Sequence, residues 1–417
     1  MVDFPLPTLL NCNDRLTLSF HIILELHRLS LGNHWGTVVK KLCLLVLAAF
    51  LFPAQAPADP ILKRPQIVFL NPGKSGEVFW DLVSDTMRAA ASQLHVDVEI
   101  IHSERNRRML NDLGMAIVGR PAHPDYLILV NEESAATPVI EAANARGIKV
   151  FLLSNAFTGE EAKKYGAPRE VLQNWIGSLT PDMPAASRRM ASALIETARR
   201  ANHVSADGKL HLLALGGDEL TPNSITRNDG FTAFVAGKSD VVVDRFLYAN
   251  WNAAEAATLT ARYLDWAEHS GIRPAGVWAA NDPMALGAIE AIAKKGLVPG
   301  KDMAVVGLNW SPEALDAIKA GKLLLTDGGH FFGGAWSIVM LRDHADGCDF
   351  AGDGAAKTFP LAAIDQSNLA QLGGIISERR FETIRFEQFL ASRRGRCGAY
   401  DFSLDALVRA ARAPMQN

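Results

Sequence analysis

The sequence predicts an α/β protein built as two lobes of parallel strands. Two observations carry that expectation. Short apolar runs alternate with amphipathic stretches of helical period along most of the chain, and such alternation implies parallel βαβ units. The alternation then starts afresh near residue 185, giving two blocks of similar length with no close sequence repeat between them. The 417 residues suffice for two ordinary domains, and 48% hydrophobic against 21% charged residues is the balance of a packed chain.

In the first block, residues 66–70 (Gln-Ile-Val-Phe-Leu) form a continuous apolar strand, followed by a polar loop at 71–76. A helix follows, with Val83, Met87, Ala90 and Leu94 spaced for one face. Strands are expected at 96–101, 126–130 and 150–153, with a helix at 139–146 closed by Gly147. In the second block, a helix at 185–201 leads to a strand at 210–215 that ends in Gly216-Gly217. A helix at 228–236, a strand at 241–248 and a long helix at 255–269 come next.

Residues 277–310 then organise the rest. Small and apolar residues run into Asn281-Asp282, and a helix opens at once. Pro283 suits a first helical turn, where its missing N–H would go unpaired anyway, and Asp282 is the N-cap candidate. Met284, Ala288, Ala291 and Ile292 fall on one face, Gly296 ends the helix, and Val305-Val306 is a short buried strand. Asn281, Asp282 and Asn309 thus stand at the carboxyl ends of two strands, the edge where parallel sheets bind ligands. Beyond them, a helix at 335–345 and a strand at 358–364 are expected to complete the sheets by crossing back between lobes. The tail from Glu378 is Arg-rich and partly helical in pattern.

Lys40-Lys41, an apolar run of eleven residues at 42–52 and Pro53-Ala-Gln-Ala-Pro-Ala58 describe a secretory signal cleaved after Ala58. The run is too short to span a bilayer comfortably. Residues 1–37 precede the expected position of such a signal, so translation is expected to start near Val38. After cleavage two of the four cysteines remain, Cys348 and Cys397. An oxidising compartment lets them pair, while spacing alone leaves two free thiols equally open.

A net charge of −3 gives no electrostatic reason for a nucleic-acid partner. Gly73-Lys74-Ser75 between a strand and a helix suggests a phosphate loop, but the required earlier glycine is Val68, so the signature fails. Cys-x-x-Cys, a Gly-x-Ser-x-Gly elbow and paired histidines at metal spacing are missing from the sequence; His123 and His330 stand alone. No catalytic group, metal or cofactor is expected.

Asn281-Asp-Pro-Met-Ala-Leu-Gly-Ala288, Val305-Val-Gly-Leu-Asn309, Arg227-Asn-Asp-Gly-Phe231 and Phe79-Trp80 resemble motifs of the type I periplasmic sugar-binding proteins, the ribose-binding class with the signal receptor LuxP as a further relative. The resemblance covers roughly residues 65–375. It implies two Rossmann-like lobes with parallel sheets joined by a three-strand hinge, with the ligand in the cleft. The N-terminal lobe would hold residues 59–178 and 330–358, the C-terminal lobe 179–329 and 359–417. By resemblance, Asn281 and Arg227 hydrogen-bond ligand hydroxyls or carbonyls, and Phe79, Trp80 and Trp251 stack on its apolar face. Ser75, Glu132, Ser154, Asn155, Asp282, Asn309 and Trp310 complete the expected ligand set. Asn309 stands where many sugar binders carry Asp, which removes a charged acceptor. Ser154-Asn155 replaces an Asp-Arg pair, and Gly329 falls where Gln or Arg would reach the ligand.

The implied protein is a monomeric periplasmic receptor for a small polar, sugar-like ligand. It would serve the permease of an ABC transporter, or a membrane sensor kinase or cyclase. A LacI-type transcription regulator shares the fold but needs a DNA-reading helix-turn-helix where this chain has an export signal. An exported enzyme is the third reading, and no nucleophile or metal constellation supports it.

Overall fold

The structure is a computed structural model that describes residues 64–412. The expected signal sequence and late start fall on residues 1–58, outside the described residues.

β1 (Gln66–Asn71), β2 (Asp97–His102), β3 (Tyr126–Leu129), β4 (Lys149–Leu153) and β5 (Trp175–Pro181) build the first sheet. α1 (Val78–Gln93), α2 (Arg107–Val118), α3 (Thr137–Ala145) and α4 (Gly159–Tyr165) connect them. β3 and β4 are almost wholly buried, which is why they read as unbroken apolar runs. α1 carries Val83, Met87 and Ala90 on its buried face, as the spacing predicts. α2, for which no helix was expected, buries Leu110, Gly114, Ile117 and Val118 at helical spacing, with Gly114 against the Val139 side chain and Met109 and Met115 exposed.

α5 (Met183–Arg200) carries the chain to the second sheet. β6 (Leu210–Gly216), β7 (Val241–Tyr248), β8 (Pro274–Ala279), β9 (Ala304–Leu308) and β10 (Leu325–Gly328) form it, with α6 (Pro222–Val235), α7 (Ala253–His269), α8 (Asp282–Lys294) and α9 (Pro312–Lys319) between them. α6 begins at Pro222 rather than near residue 228: Thr221-Pro222 is a helix start whose proline sits at the opening position. α8 is capped by Asn281, whose side chain accepts from Met284 N at 2.9 Å, and not by Asp282. Asp282 occupies the first helical position instead and is fully buried.

α10 (Gly333–Ala345) returns to the first lobe and packs on α1. The single strand expected at 358–364 is two: β11 (Ala356–Phe359) pairs with β5, and β12 (Ala362–Ile364) pairs antiparallel with β10. Pro360-Leu361 divides them, since Pro offers no N–H to a ladder. The sheet orders are β11-β5-β4-β3-β1-β2 and β12-β10-β9-β8-β6-β7. The chain therefore passes between lobes three times, after Pro181, after Gly328 and after Phe359.

The tail was expected with the second lobe, and only its first part packs there. α11 (Gly373–Ser377) touches α9, and from there the chain runs along the first lobe to α12 (Leu404–Arg412). Gln93 donates to Ile384 O at 2.8 Å and accepts from Phe386 N at 2.9 Å. Trp336 on α10 stacks on Phe402 at 4.6 Å, and buried Asp343 accepts from Ala391 N at 2.7 Å. The reason is apolar: Phe386 and Phe389 pack on Trp336 of α10, and Phe381 packs on Phe331 and Phe332 just before it, so all three are buried. Cys348 and Cys397 form a disulfide that ties this segment to the end of α10.

Candidate functional site

A cavity of about 420 Å³ lies between the lobes. Its walls come from the loops after β1 to β4 on one side and after β6 to β10 on the other, so it sits at the carboxyl edges of both sheets. These loops are held in costly backbone conformations. Glu104-Arg105, Glu133-Ser134, Ser154, Asn250-Trp251 and Asn309-Trp310 all have positive φ, between 48° and 153°. Non-glycine residues persist there only where their surroundings over-determine them, and here they follow β2, β3, β4, β7 and β9.

On the first lobe, Phe79 opens α1 and stacks on His330 at 4.5 Å, with Trp80 edge-on at 5.1 Å. Trp80 is only 2% exposed, so most of its ring is core, yet it also lines the cavity. Its indole Nε1 is buried without a partner among the described residues. Arg105 lies over the Trp80 ring at 5.9 Å and pairs with Glu77 and with Glu132, the latter at 2.9 Å. Burial works against the Arg105 charge, but these two carboxylates raise its pKa above the ordinary arginine value. Burial raises the Glu132 carboxyl above its usual range, against the pull of Arg105.

On the second lobe, Trp251 is fixed from several sides. Its Nε1 donates to Asp218 at 2.6 Å, its carbonyl accepts from Asn281 Nδ2 at 3.3 Å, and Arg227 lies over its ring at 5.4 Å. Gly217 makes room: a Cβ there would stand 2.2 Å from the ring. Arg227 is 3% exposed and donates to Ala280 O and to the Met183 thioether, while its Nε has no partner among the described residues. Burial lowers its pKa to about 10, partly offset by Asp327, Asp282 and Asp218. Burial, with Arg227 nearby, also drops the His330 pKa well below its usual value, so that ring is neutral. His330 Nδ1 is buried and has no partner among the described residues.

Nine expected residues line this cavity: Phe79, Trp80, Glu132, Ser154, Asn155, Arg227, Trp251, Asn281 and Asn309. Three do not. Ser75 lies on an exposed loop, where its N–H donates to Glu104. Asp282 points inward and accepts from Ser311 N at 2.8 Å and Thr326 Oγ1 at 2.7 Å. Trp310 is packed against Gly328 and Gly329, with Nε1 donating to Ala362 O at 2.9 Å. A Cβ at Gly329 would stand 2.9 Å from the Trp310 ring, so this tryptophan and a side chain at 329 exclude each other.

Arg105, Glu77, Asn223, Glu313 and His330 also line the cavity and were not among the expected ligand residues. Arg105 was findable, since it follows β2 at the same sheet edge; His330 gave no signal beyond its place after β10. Among the described residues no cluster of three or more His, Cys, Asp or Glu is arranged to hold a metal ion.

Two lobes joined by three crossovers, with a lined cavity between them, define a ligand-capturing binding protein. The chain belongs to the periplasmic binding protein domain family, whose model matches residues 67–348. A solved periplasmic sugar-binding protein from Pseudomonas fluorescens is 32% identical, with a TM-score of 0.73; the match covers 83% of this chain and 100% of that one. A xylitol-binding protein of Mycolicibacterium smegmatis is 23% identical over 270 residues, 62% of this chain and 63% of that protein. The galactofuranose-binding protein YtfQ of Escherichia coli is 23% identical over 186 residues, 44% of this chain and 52% of that protein. The chain thus spans less than two thirds of the length of these two curated relatives. The relatives are binding proteins rather than enzymes.

Proposed function

We propose that this protein is a periplasmic receptor that captures a small, polyhydroxylated, sugar-like ligand between its lobes. It then delivers the ligand to an ABC permease or reports it to a membrane sensor. It acts as a monomer, exported by the signal ending at Ala58. One observation carries this reading: three polar atoms, Arg227 Nε, Trp80 Nε1 and His330 Nδ1, are buried without partners among the described residues, on side chains that line one cavity. Buried polar groups are almost always satisfied, and each one left bare costs about 1–3 kcal/mol. A sugar suits such a wall, because its hydroxyls both donate and accept while its C–H faces pack on rings such as Phe79 and Trp251. The ligand is neutral in this reading: Arg105 is already matched by carboxylates, the Arg227 charge has Asp218, Asp282 and Asp327 near it, and Asn155, Asn281 and Asn309 are uncharged.

A thermal-shift screen of the exported protein against pentoses, hexoses, alditols and cyclitols tests it. A true ligand at a hundredfold its dissociation constant stabilises by about 2.7 kcal/mol. Failure of every neutral polyol, with a shift from amino acids or organic anions instead, would overturn the reading.

A further inference from the structure

One stretch of the cavity wall is aliphatic. Val78 and Leu82 stand four residues apart on α1, and Pro283 and Leu286 three apart on α8, so each pair shares a helix face, and all four line the cavity. Ala253, the first residue of α7, joins them. Gly287 allows this: a Cβ there would stand 2.1 Å from the Ala253 carbonyl oxygen, so α7 begins hard against α8 beside Leu286. None of these side chains can donate or accept a hydrogen bond, and Pro283 lacks a backbone N–H as well. Leu82 is 1% exposed, whereas Val78, Pro283 and Leu286 are half-buried, so the patch is open to whatever fills the cavity.

The polar demand lies elsewhere. Arg227 Nε, Trp80 Nε1 and His330 Nδ1, the buried cavity atoms without partners among the described residues, belong to side chains gathered around two rings. Arg227 lies over Trp251 at 5.4 Å, and Trp80 and His330 meet Phe79 at 5.1 and 4.5 Å. Those rings already suit the C–H faces of a sugar. A full hexose carries hydroxyls round its rim and ends in CH2OH, so it has nothing left for an aliphatic wall. A hydroxyl held there gives up water and gains no bond from the side chains, while a methyl group gains by leaving water.

We propose that the ligand is a terminally deoxygenated sugar, with a methyl group where a hexose has CH2OH, and that Val78, Leu82, Pro283 and Leu286 select that methyl group. Its hydroxyl-bearing edge then faces Arg227, Trp80 and His330. This rests on the reading of the cavity as a polyol site and adds a choice among polyols, so the two can fail separately.

Calorimetry on the exported protein with matched sugars tests it: L-rhamnose against L-mannose, L-fucose against L-galactose, D-fucose against D-galactose, and 6-deoxy-D-glucose against D-glucose. Within the pair that binds most tightly, the deoxy member binds about tenfold or more tightly than its partner, the discrimination that one small group supplies in an apolar pocket. Val78→Thr, nearly the same size, and Leu286→Asn each put a hydrogen-bonding group into the wall and cut that preference to about threefold or less. A packing defect would weaken both members of the pair alike and leave their ratio unchanged. Equal binding within the pair, a tighter hydroxylated member, or a ratio that neither variant moves overturns the proposal and leaves the polyol reading standing. Failure of every pair overturns it too, and if the alditols and cyclitols also fail, the polyol reading falls with it.

Discussion

Arg189 on α5 grips Asp327 on β10 with two hydrogen bonds of 2.9 Å and donates a third, of 2.8 Å, to the carbonyl of Leu361. α5 follows the first interlobe crossover, Asp327 precedes the second, and Leu361 lies within the third. One guanidinium thus ties together segments that adjoin or form all three crossovers. Asp327 is fully buried, and burial raises its pKa against the pull of Arg189. Arg189→Ala leaves that carboxylate alone. Breaking a buried pair costs about 3–5 kcal/mol; since the Arg189 side chain is 39% exposed, we expect roughly 2–4 kcal/mol in urea unfolding. Asp327→Asn, which keeps a polar partner, should cost less, and a larger loss would contradict this assignment.

The cavity rings respond differently to truncation. Trp80 is 2% exposed, so Trp80→Ala is expected to cost about 3–5 kcal/mol of stability and says little about binding. Phe79, half-buried at the cleft, is the cleaner probe. Phe79→Ala should weaken polyol binding roughly tenfold in calorimetry with a near-wild-type melting temperature. Arg227→Lys keeps a charge but loses the flat contact with Trp251 and the Nε donor, and should weaken binding by more than tenfold.

Asp282 sets a pH dependence. Burial lifts its pKa from 3.8 to about 7, against the bonds from Ser311 and Thr326. A folded-state value above the unfolded one means the fold favours the protonated form. Its stabilising contribution is complete below about pH 4, declines as pH rises toward 7, and is gone above that. The span is on the order of 4 kcal/mol. Asp282→Asn, measured by chemical unfolding between pH 4.5 and 8, should flatten that part of the profile; an unchanged slope would show that other groups set it.

The disulfide closes a loop of 49 residues. In the chain-entropy account that is about 4 kcal/mol, less any native-state strain. Reduction, or Cys348→Ser with Cys397→Ser, should lower the melting temperature and expose the tail to trypsin near Arg393 and Arg394 before the lobes are cut. Simultaneous cleavage throughout would show that the tail is not a separate unit.

Much of this was legible because parallel sheets write themselves plainly. β3, β4 and β8 are buried runs, and Asn281-Asp282-Pro283 marks a helix start after a strand. Which member of that pair caps and which is buried was not legible, because both residue types do either job; the bonds to Ser311 and Thr326 decide it. Trp310 looked like a cleft wall by its position after β9, and only the Gly328-Gly329 hollow shows where the ring goes. Glu77, Arg105 and His330 depend on contacts across 27 or more residues of sequence, which no local pattern records. The tail was unreadable for the same reason: its partner, Trp336, belongs to another element.

The central claim is that the interlobe cavity, and no other surface, is where a polyol sits. A crystal structure of the exported protein with the polyol that shifts it most would decide this. Density should lie between the Phe79 and Trp251 rings, with an oxygen within hydrogen-bond reach of Arg227 Nε. A polyol bound elsewhere, with that guanidinium still bare, would contradict it.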